Sequence, residues 1–391
     1  MKTAVGKKVY LVGTHRARQP EETWEIVRPL LGQYGISRVA DVTGLDTVGI
    51  PVAVAFRPLS RTLSVSQGKG HNLLLAKISA VMESIEMWHA EFAFPQPAYQ
   101  NTAAAELDLP YPLEQLDHHT GSLLGPHTPQ DWVTATSLLS GSKTSVPLDT
   151  VRLRIEAEPH WRPRGLRISS NGLASGNNHE EAALHALYEV MERDALSSLT
   201  QKLDDPRLNI AVDTIDDPVC GPLIEQITHN RVLLDVAFVP NRWGVPCFVA
   251  FVWSEDFPVL CAGSGAHSST SVALSRAITE AVQSRLTAIS GSRDDLNPMY
   301  SHVLRGSAKQ PVIDPDTVTF QQAAASADLT FDDLREELSW ASAQVAALAG
   351  AEPLVCDLST HEDFSVVKVI CPGLNSSERH TIPRPLYEHK H

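Results

Sequence analysis

Apolar positions follow helical spacing in three long segments, residues 71–93, 179–201 and 269–290. Apolar residues at intervals of three and four are typical of an amphipathic helix, so each segment is predicted to form one. Residues 21–36 and 331–349 show the same spacing over shorter lengths and are predicted to be helical as well.

Residues 37–56 and 231–262 alternate instead and are rich in β-branched side chains, which is typical of strands joined by tight turns. Further strands are predicted within 145–170, 353–357 and 365–371. Residues 94–130 are rich in Pro, His, Asp and Gly and are predicted to be irregular. Helices and strands alternate without a low-complexity linker. We therefore expect an α+β fold of mixed, largely antiparallel sheets covered by helices.

Each long helix carries a narrow stripe of polar residues. In the first helix these residues are Ser79, Glu83 and Glu86, at positions i, i+4 and i+7. Such positions span an arc of only about 60° on a helix. The corresponding residues of the other two helices are His185, Glu189 and Glu192 with the following Arg193, and Arg276, Glu280 and Gln283 with the later Arg285.

The stripes can be interpreted as solvated helix faces or as parts of one site. They are rich in carboxylates with few Lys partners one turn away, so they do not support the helices as surface ion pairs do. Gly-rich stretches precede all three helices: SVSQGKG, SNGLASGNN and CAGSGAH. Such an entry to a helix brings backbone N–H groups close to a phosphate. These features favour a shared site.

If the stripes converge, about five carboxylates share one cavity and must recruit cations. Oxygen ligands select Mg²⁺ or Ca²⁺, and Mg²⁺ held by carboxylates usually completes its coordination with phosphates. Lys69, Arg193, Arg276 and Arg285 are candidates to contact phosphate directly. Arg285, however, lies about 140° from Glu280 on an ideal helix and reaches the site only if the helix ends or distorts there. The chain has no GxxxxGK[ST] motif, which excludes a P-loop site.

The overall composition limits the possible partners. Of 391 residues, 46 are acidic and 32 basic, which gives a net charge of −14 and argues against nucleic-acid binding. No apolar run is long enough to span a membrane, and the N-terminus does not resemble a secretory signal. The five cysteines are scattered without a CxxC pair, which is typical of reduced thiols, so a cytoplasmic location is expected.

Four sequence blocks together resemble the YcaO superfamily. They are SxGKG at 66–70, SxxxExxE at 79–86, NGLASGN with ExxERDA at 171–195, and GxGAH with RAxTEAxQSRL at 263–286. YcaO proteins use ATP to phosphorylate a backbone amide oxygen of a peptide, after which a nucleophile attacks the amide carbon and phosphate leaves. The resemblance implies a YcaO-like fold with three site-forming helices and ATP and Mg²⁺ as cofactors. Many members have Arg after the first ExxE, where this chain has Met87.

The resemblance also assigns roles to single residues. The implied Mg²⁺ ligands are Glu83, Glu86, Glu189, Glu192 and Glu280. The implied nucleotide contacts are Ser66, Lys69, Ser79, Arg193, Gln283 and Arg285. Glu189, Glu192, Arg193 and Glu280 are further implied to be catalytic, by aligning the γ-phosphate and neutralising its charge, and no covalent enzyme nucleophile is expected.

The resemblance is closest to stand-alone members, including bottromycin-pathway-like and TfuA-associated ones. It implies cyclodehydration of a ribosomally made precursor peptide to an azoline or macroamidine. The alternatives are thioamidation with a sulfide donor and a TfuA-like partner, or a non-catalytic scaffold that binds ATP and peptide. The resemblance also allows another accessory protein or a second copy of the chain as a partner.

Because helices between Ser79 and Arg285 must converge on one site, we expect one large domain over residues 1–391. Its motif core covers about 35–295, followed by a helix–strand extension at 296–371 and an irregular tail at 372–391.

Overall fold

The structure is a computed structural model that describes residues 7–153, 165–201, 206–293, 310–314, 316–324, 328–376 and 382–384. Its helices are α1 Pro20–Val27, α2 Leu73–Phe92, α3 His179–Gln201, α4 Cys220–His229, α5 Thr270–Ser290, α6 Phe320–Ala324 and α7 Leu334–Ala349. Its strands are β1 Val9–Leu11, β2 Thr14–Arg16, β3 Arg38–Asp41, β4 Val52–Phe56, β5 Val65–Lys69, β6 Tyr99–Ala103, β7 Pro129–Ser137, β8 Lys143–Pro147, β9 Leu173–Gly176, β10 Leu208–Ile210, β11 Leu233–Phe238, β12 Cys247–Trp253, β13 Cys261–Ala266, β14 Leu354–Asp357 and β15 Ser365–Ile370.

These strands form four sheets in which every pairing between named strands is antiparallel. Their orders are β1–β2, β3–β4–β5, β6–β7–β14–β15–β9 with β8 beside β7, and β10–β11–β12–β13. The expected α+β class with largely antiparallel sheets is confirmed. Three edge strands, β5, β9 and β13, each lead directly into a long helix, α2, α3 and α5 respectively.

Glycines in these edge strands let each helix lie directly on its own strand. A Cβ atom on Gly68 would lie 2.1 Å from the Ala76 carbonyl oxygen of α2. On Gly176 it would lie 2.4 Å from the Ala182 nitrogen of α3, and on Gly263 it would lie 2.3 Å from the Ala281 nitrogen of α5. Because a side chain would collide with backbone at all three places, glycine there sets the close spacing of strand and helix.

Three apolar clusters hold the sheets and helices together. The first joins α2 to the six-stranded sheet through residues such as Ile85 and Trp132. The second packs α3 and α7 between two sheets, and the third packs α4 and α5 on the face of β11 and β12. The apolar faces of α2, α3 and α5 are therefore held by packing, and most residues of their polar stripes stay partly accessible.

Several predicted elements differ from the observed ones. The first helix ends at Val27 and continues as a short 3-10 turn, because the following Arg28-Pro29 pair disfavours a longer α-helix. The irregular region at 94–130 contains the strand β6, and α4 has no counterpart in the prediction. Part of the strand predicted within 145–170, residues 154–164, lies outside the described residues. None of the described helices is long and apolar enough to cross a membrane.

Candidate functional site

The polar stripe of α2 contacts two of the edge strands. Glu83 Oε2 accepts a hydrogen bond from the backbone N–H of Gln67 in β5 at 3.0 Å. Glu86 Oε1 accepts from the backbone N–H of Ser175 in β9 at 2.7 Å and from its hydroxyl at 2.5 Å. The α2 carboxylates therefore satisfy unpaired donors at the edges of two different sheets.

The stripes of α3 and α5 also contact edge strands. Glu192 of α3 accepts from the Ser264 hydroxyl at 2.5 Å and from the Ala266 N–H at 2.9 Å, both in β13. Glu280 of α5 lies 2.5 Å from Lys69 Nζ in β5. Thus α2 reaches the strand before α3, α3 reaches the strand before α5, and α5 reaches the strand before α2. This closed cycle brings the three predicted stripes to one place, which we call the three-helix cleft.

Three carboxylates of the three-helix cleft resist ionisation. Burial raises the pKa of Glu83 to about 6 and that of Glu189 to about 7. Burial also raises the pKa of Glu86 to about 8, and the charges of Glu83 and Glu189 add to this increase. Burial has the same tendency at Glu280, but the charges of Lys69 and Arg193 and the hydrogen bonds to this carboxylate together lower the pKa of Glu280. The crowding of negative charge favours binding of a cation.

The cleft also contains an arginine without an acidic partner. Arg276, one turn before Glu280 on α5, hydrogen-bonds to Nε2 of His185 on α3. No carboxylate of the described residues lies within ion-pair distance of Arg276, and burial, together with the charge of Arg16, lowers its pKa. Arg193 lies 3.9 Å from Glu192. Burial acts to lower the pKa of Arg193, but the surrounding carboxylates together raise it. The three-helix cleft therefore has an anionic part and a cationic part.

Two predicted nucleotide contacts lie elsewhere. Arg285 is 1% exposed and binds Asp46 at 2.8 Å and the Ser254 hydroxyl at 2.7 Å. Because α5 continues regularly to Ser290, Arg285 stays on the face of the helix opposite the cleft, contrary to the prediction.

Ser66 and Lys69 were both predicted to contact the nucleotide, but in β5 their side chains lie on opposite faces. Along β5 the side chains alternate, so Gln67 and Lys69 face α5 whereas Ser66 and Gly68 face α2. Ser66 is 4% exposed and packs under α2 instead of beside Lys69. Ser79 and Gln283 keep their predicted places on the stripes and are half-buried.

The sequence reasoning missed Glu181, which lies one turn before His185 on α3. Its carboxylate accepts from the backbone N–H of Ala17 at 2.7 Å and lies 3.6 Å from Arg16. The hairpin of β1 and β2 therefore leads into the cleft at the start of the α3 stripe. The spacing of four between Glu181, His185 and Glu189 is the signal that could have revealed it.

The carboxylates of the three-helix cleft are suitable ligands for a cation, but they are not arranged around a common point. Among the described residues, no three His, Cys, Asp or Glu side chains surround a common point as metal ligands. The carboxylates of Glu86, Glu192 and Glu280 are turned toward protein donors instead. The donor set consists of carboxylate oxygens, which fits a hard cation such as Mg²⁺ once these side chains rotate. All five cysteines are free and buried.

Comparison with known proteins identifies the fold of this site. The family model described as YcaO cyclodehydratase, ATP- and Mg²⁺-binding, matches residues 67–375. An uncharacterized protein of Mycobacterium tuberculosis is 39% identical over 380 residues, covering 96% of this chain and 86% of that protein. An uncharacterized protein in the tfuA 3′ region of Rhizobium leguminosarum bv. trifolii is 39% identical over 392 residues, covering 92% of this chain and 88% of that protein.

Two solved structures share the fold. A heterocyclase in complex with substrate and cofactor superposes with a TM-score of 0.76 at 20% identity, over 96% of this chain. The chain spans about half of that heterocyclase, 54% of its length. YcaO from Methanopyrus kandleri bound with AMPPCP and Mg²⁺ superposes with a TM-score of 0.70 at 23% identity, over 95% of both chains. At these identities the likeness concerns the fold alone.

Proposed function

The chain belongs to the YcaO cyclodehydratase family, which is described as ATP- and Mg²⁺-binding, and from this premise we propose that it modifies the backbone of a peptide. In this proposal the protein phosphorylates a backbone amide oxygen of a ribosomally made precursor peptide with ATP. Cyclodehydration to an azoline or macroamidine follows. An amide is a weak electrophile with a poor leaving group, and phosphorylation of its oxygen supplies a good one.

The proposal depends mainly on one observation, which is that the three-helix cleft has an anionic part and a cationic part. Glu86 and Glu189 have raised pKa values, which favours a cation beside them, whereas Arg276 has no acidic partner among the described residues, which favours an anion. A magnesium–nucleotide complex supplies both at once. A solvated surface would show neither a crowded set of carboxylates nor a half-buried arginine that hydrogen-bonds only to a histidine among the described residues.

In this proposal the residues of the three-helix cleft have three roles. Glu83, Glu86, Glu189, Glu192 and Glu280 would hold Mg²⁺, which when bound offsets negative charge on the phosphates. Lys69, Arg193 and Arg276 would bind phosphate oxygens directly, and Ser79 and Gln283 would contact the nucleotide. The amide oxygen attacks the γ-phosphorus and ADP leaves. A nucleophile of the peptide then adds to the amide carbon, and phosphate leaves.

We further propose that the chain acts as one large domain. The contact between Lys69 of β5 and Glu280 of α5 joins distant parts of the sequence within one cleft. Residues 354–370 complete the sheet that contains β9, so the region after the motif core belongs to the same unit. The tail also docks, because Arg384 lies 2.7 Å from Asp235 of β11.

A second candidate reaction is thioamidation, in which an external sulfide attacks the phosphorylated amide with help from a TfuA-like partner. The observation that favours it is the relative in the tfuA 3′ region of Rhizobium leguminosarum. A scaffold that binds ATP and peptide without turnover is the third candidate.

The test combines purified protein, ATP, Mg²⁺ and synthetic peptides from short reading frames beside the gene. The proposal expects ADP release that depends on one peptide, together with loss of one water from that peptide. Replacement of oxygen by sulfur when sulfide is supplied would establish thioamidation. Nucleotide binding without peptide-dependent ADP release would favour the scaffold and overturn the proposal. Glu225→Gln, an exposed carboxylate on α4, serves as the control for Glu189→Gln.

A further inference from the structure

A small cavity of about 50 Å³ lies between β15 and the loop that leads into β9, where Val190 of α3 also lines it. Its lining includes Asp117, Thr150, Arg167, Asn171, Val190 and Lys368. None of these residues has a role in the function proposed above. Half of the twelve residues that line the cavity are polar or charged, which restricts what it can hold.

Lys368 gives this cavity a positive charge. Its side chain is buried, with 4% of the residue exposed, and Nζ donates to the carbonyl oxygens of Ser169 at 2.6 Å and Asn171 at 2.7 Å. An ammonium has three N–H donors, so one remains. No carboxylate in the described part of the chain lies within ion-pair distance of Nζ. A buried cation without an anionic partner is costly.

The carboxylate of the cavity is already engaged. Asp117 lies 3.6 Å from the guanidinium of Arg167 and accepts a hydrogen bond from the Ser376 hydroxyl. The charges of Asp117 and Arg167 therefore offset each other, and Lys368 provides the excess positive charge. Burial lowers the pKa of Lys368 to about 8, although the charges of Glu189 and Asp117 oppose this decrease.

A second polar group in the lining lacks a partner. The side-chain oxygen of Asn171 is buried and accepts no hydrogen bond. An amide that is rotated by half a turn exchanges its oxygen for an NH₂ group. In that orientation Asn171 would present a donor in place of the unsatisfied oxygen, alongside the remaining N–H of Lys368.

We propose that this cavity binds a small univalent anion, of the halide or hydrosulfide class, between Lys368 Nζ and the Asn171 amide. A volume of about 50 Å³ admits an ion of this size but excludes a nucleotide or a peptide chain. The proposal does not depend on the nucleotide chemistry in the three-helix cleft, because it is argued only from the Lys368 charge and the Asn171 amide.

Crystals of the whole protein soaked in sodium bromide test the proposal through anomalous scattering. We expect a bromide peak in contact with Lys368 Nζ. Asn171→Asp has the same shape but adds a negative charge, so it should abolish the peak, and Lys368→Met should do the same. An ordered water in the cavity of the native protein, with bromide only on the outer surface, would overturn the proposal without reference to any variant.

Competition identifies the natural source of the ion. Sodium chloride or sodium hydrosulfide is added to bromide soaks at equal concentration and pH. Either salt should reduce the bromide peak, and the salt that reduces it more identifies the preferred anion. A peak that neither salt reduces would show that the site does not recognise this class of anion, which also contradicts the proposal.

Discussion

Lys69 Nζ lies 2.5 Å from Glu280 Oε2 and so connects β5 with α5 across 211 residues of sequence. Both side chains are partly accessible, with 21% and 28% of their surface exposed. The pair closes the cycle of contacts among the three helices, and it places a mobile positive charge where the proposed phosphates would lie. The pair is therefore more important for binding than for stability, since ion pairs with this much exposure stabilise little.

Lys69→Met is expected to weaken binding of a nucleotide analogue by about 10-fold or more, because a charge-assisted hydrogen bond contributes about 1.5–3 kcal/mol. The free energy of unfolding should change little. Isothermal titration calorimetry and urea unfolding measure the two quantities. Lys143→Met, at an exposed position of β8, is the matched control and should leave both unchanged. Equal nucleotide affinity in the two variants would contradict the role given to Lys69.

Arg276→Met is expected to weaken nucleotide binding without lowering the free energy of unfolding. Because Arg276 has no acidic partner in the described part of the chain, its removal should not lower the free energy of unfolding. Nucleotide affinity should nevertheless fall at least as much as in Lys69→Met. Arg38→Met, at an exposed site of β3, controls for loss of charge alone. If Arg276→Met unfolds more readily and binds nucleotide normally, Arg276 is a structural residue.

Gly68→Ala tests the close packing of α2 on β5. The added methyl group would lie 2.1 Å from two backbone atoms of α2, so the helix must move away from the strand. We expect a loss of about 3 kcal/mol in the free energy of unfolding, at the upper end of ordinary overpacking. Gly32→Ala adds the same group where nothing lies within 4 Å. Similar unfolding midpoints for the two variants in urea would refute this explanation of the glycine.

His89 should make stability depend on pH. It is fully buried, donates from Nδ1 to the Ile85 carbonyl at 2.7 Å and accepts from the Thr360 hydroxyl at 2.8 Å. Burial lowers the pKa of His89 to about 4, so the unfolded chain binds a proton more readily than the folded one. Stability is therefore complete above about pH 6.5 and is lost as pH falls toward 4, by up to about 3 kcal/mol.

His89→Gln keeps a side-chain donor and acceptor but cannot titrate. The variant should lose less stability than the native protein between pH 7 and pH 4.5, whatever its stability at neutral pH. Urea unfolding at several pH values measures the difference. Parallel pH profiles for the two proteins would show that His89 does not contribute to the acid sensitivity.

The long helices could be predicted from sequence because their pattern is local. The segments 71–93, 179–201 and 269–290 correspond to α2, α3 and α5 within two residues at each end. Helical spacing alone also identifies which residues share a stripe. The short helix α4 and the strand β6 carry too few residues for a clear period, so they were missed.

Partners of single residues could not be predicted, because they depend on tertiary contacts. The pairing of Arg285 with Asp46 spans 239 residues and puts the arginine outside the cleft. Ser66 and Lys69 are close in sequence, yet the alternation of β5 separates them onto opposite faces. A stripe of helical residues is thus a more dependable sign of a shared site than a short Gly-rich motif.

The most direct test of the central claim is calorimetric titration of the protein with AMPPCP, in Mg²⁺ and in EDTA. The claim predicts tight binding only with Mg²⁺, an affinity reduced at least about 10-fold in Glu189→Gln, and normal affinity in Glu225→Gln. Equal binding in EDTA, or full affinity in Glu189→Gln, would contradict the proposal that the stripes of α2, α3 and α5 hold a magnesium–nucleotide complex.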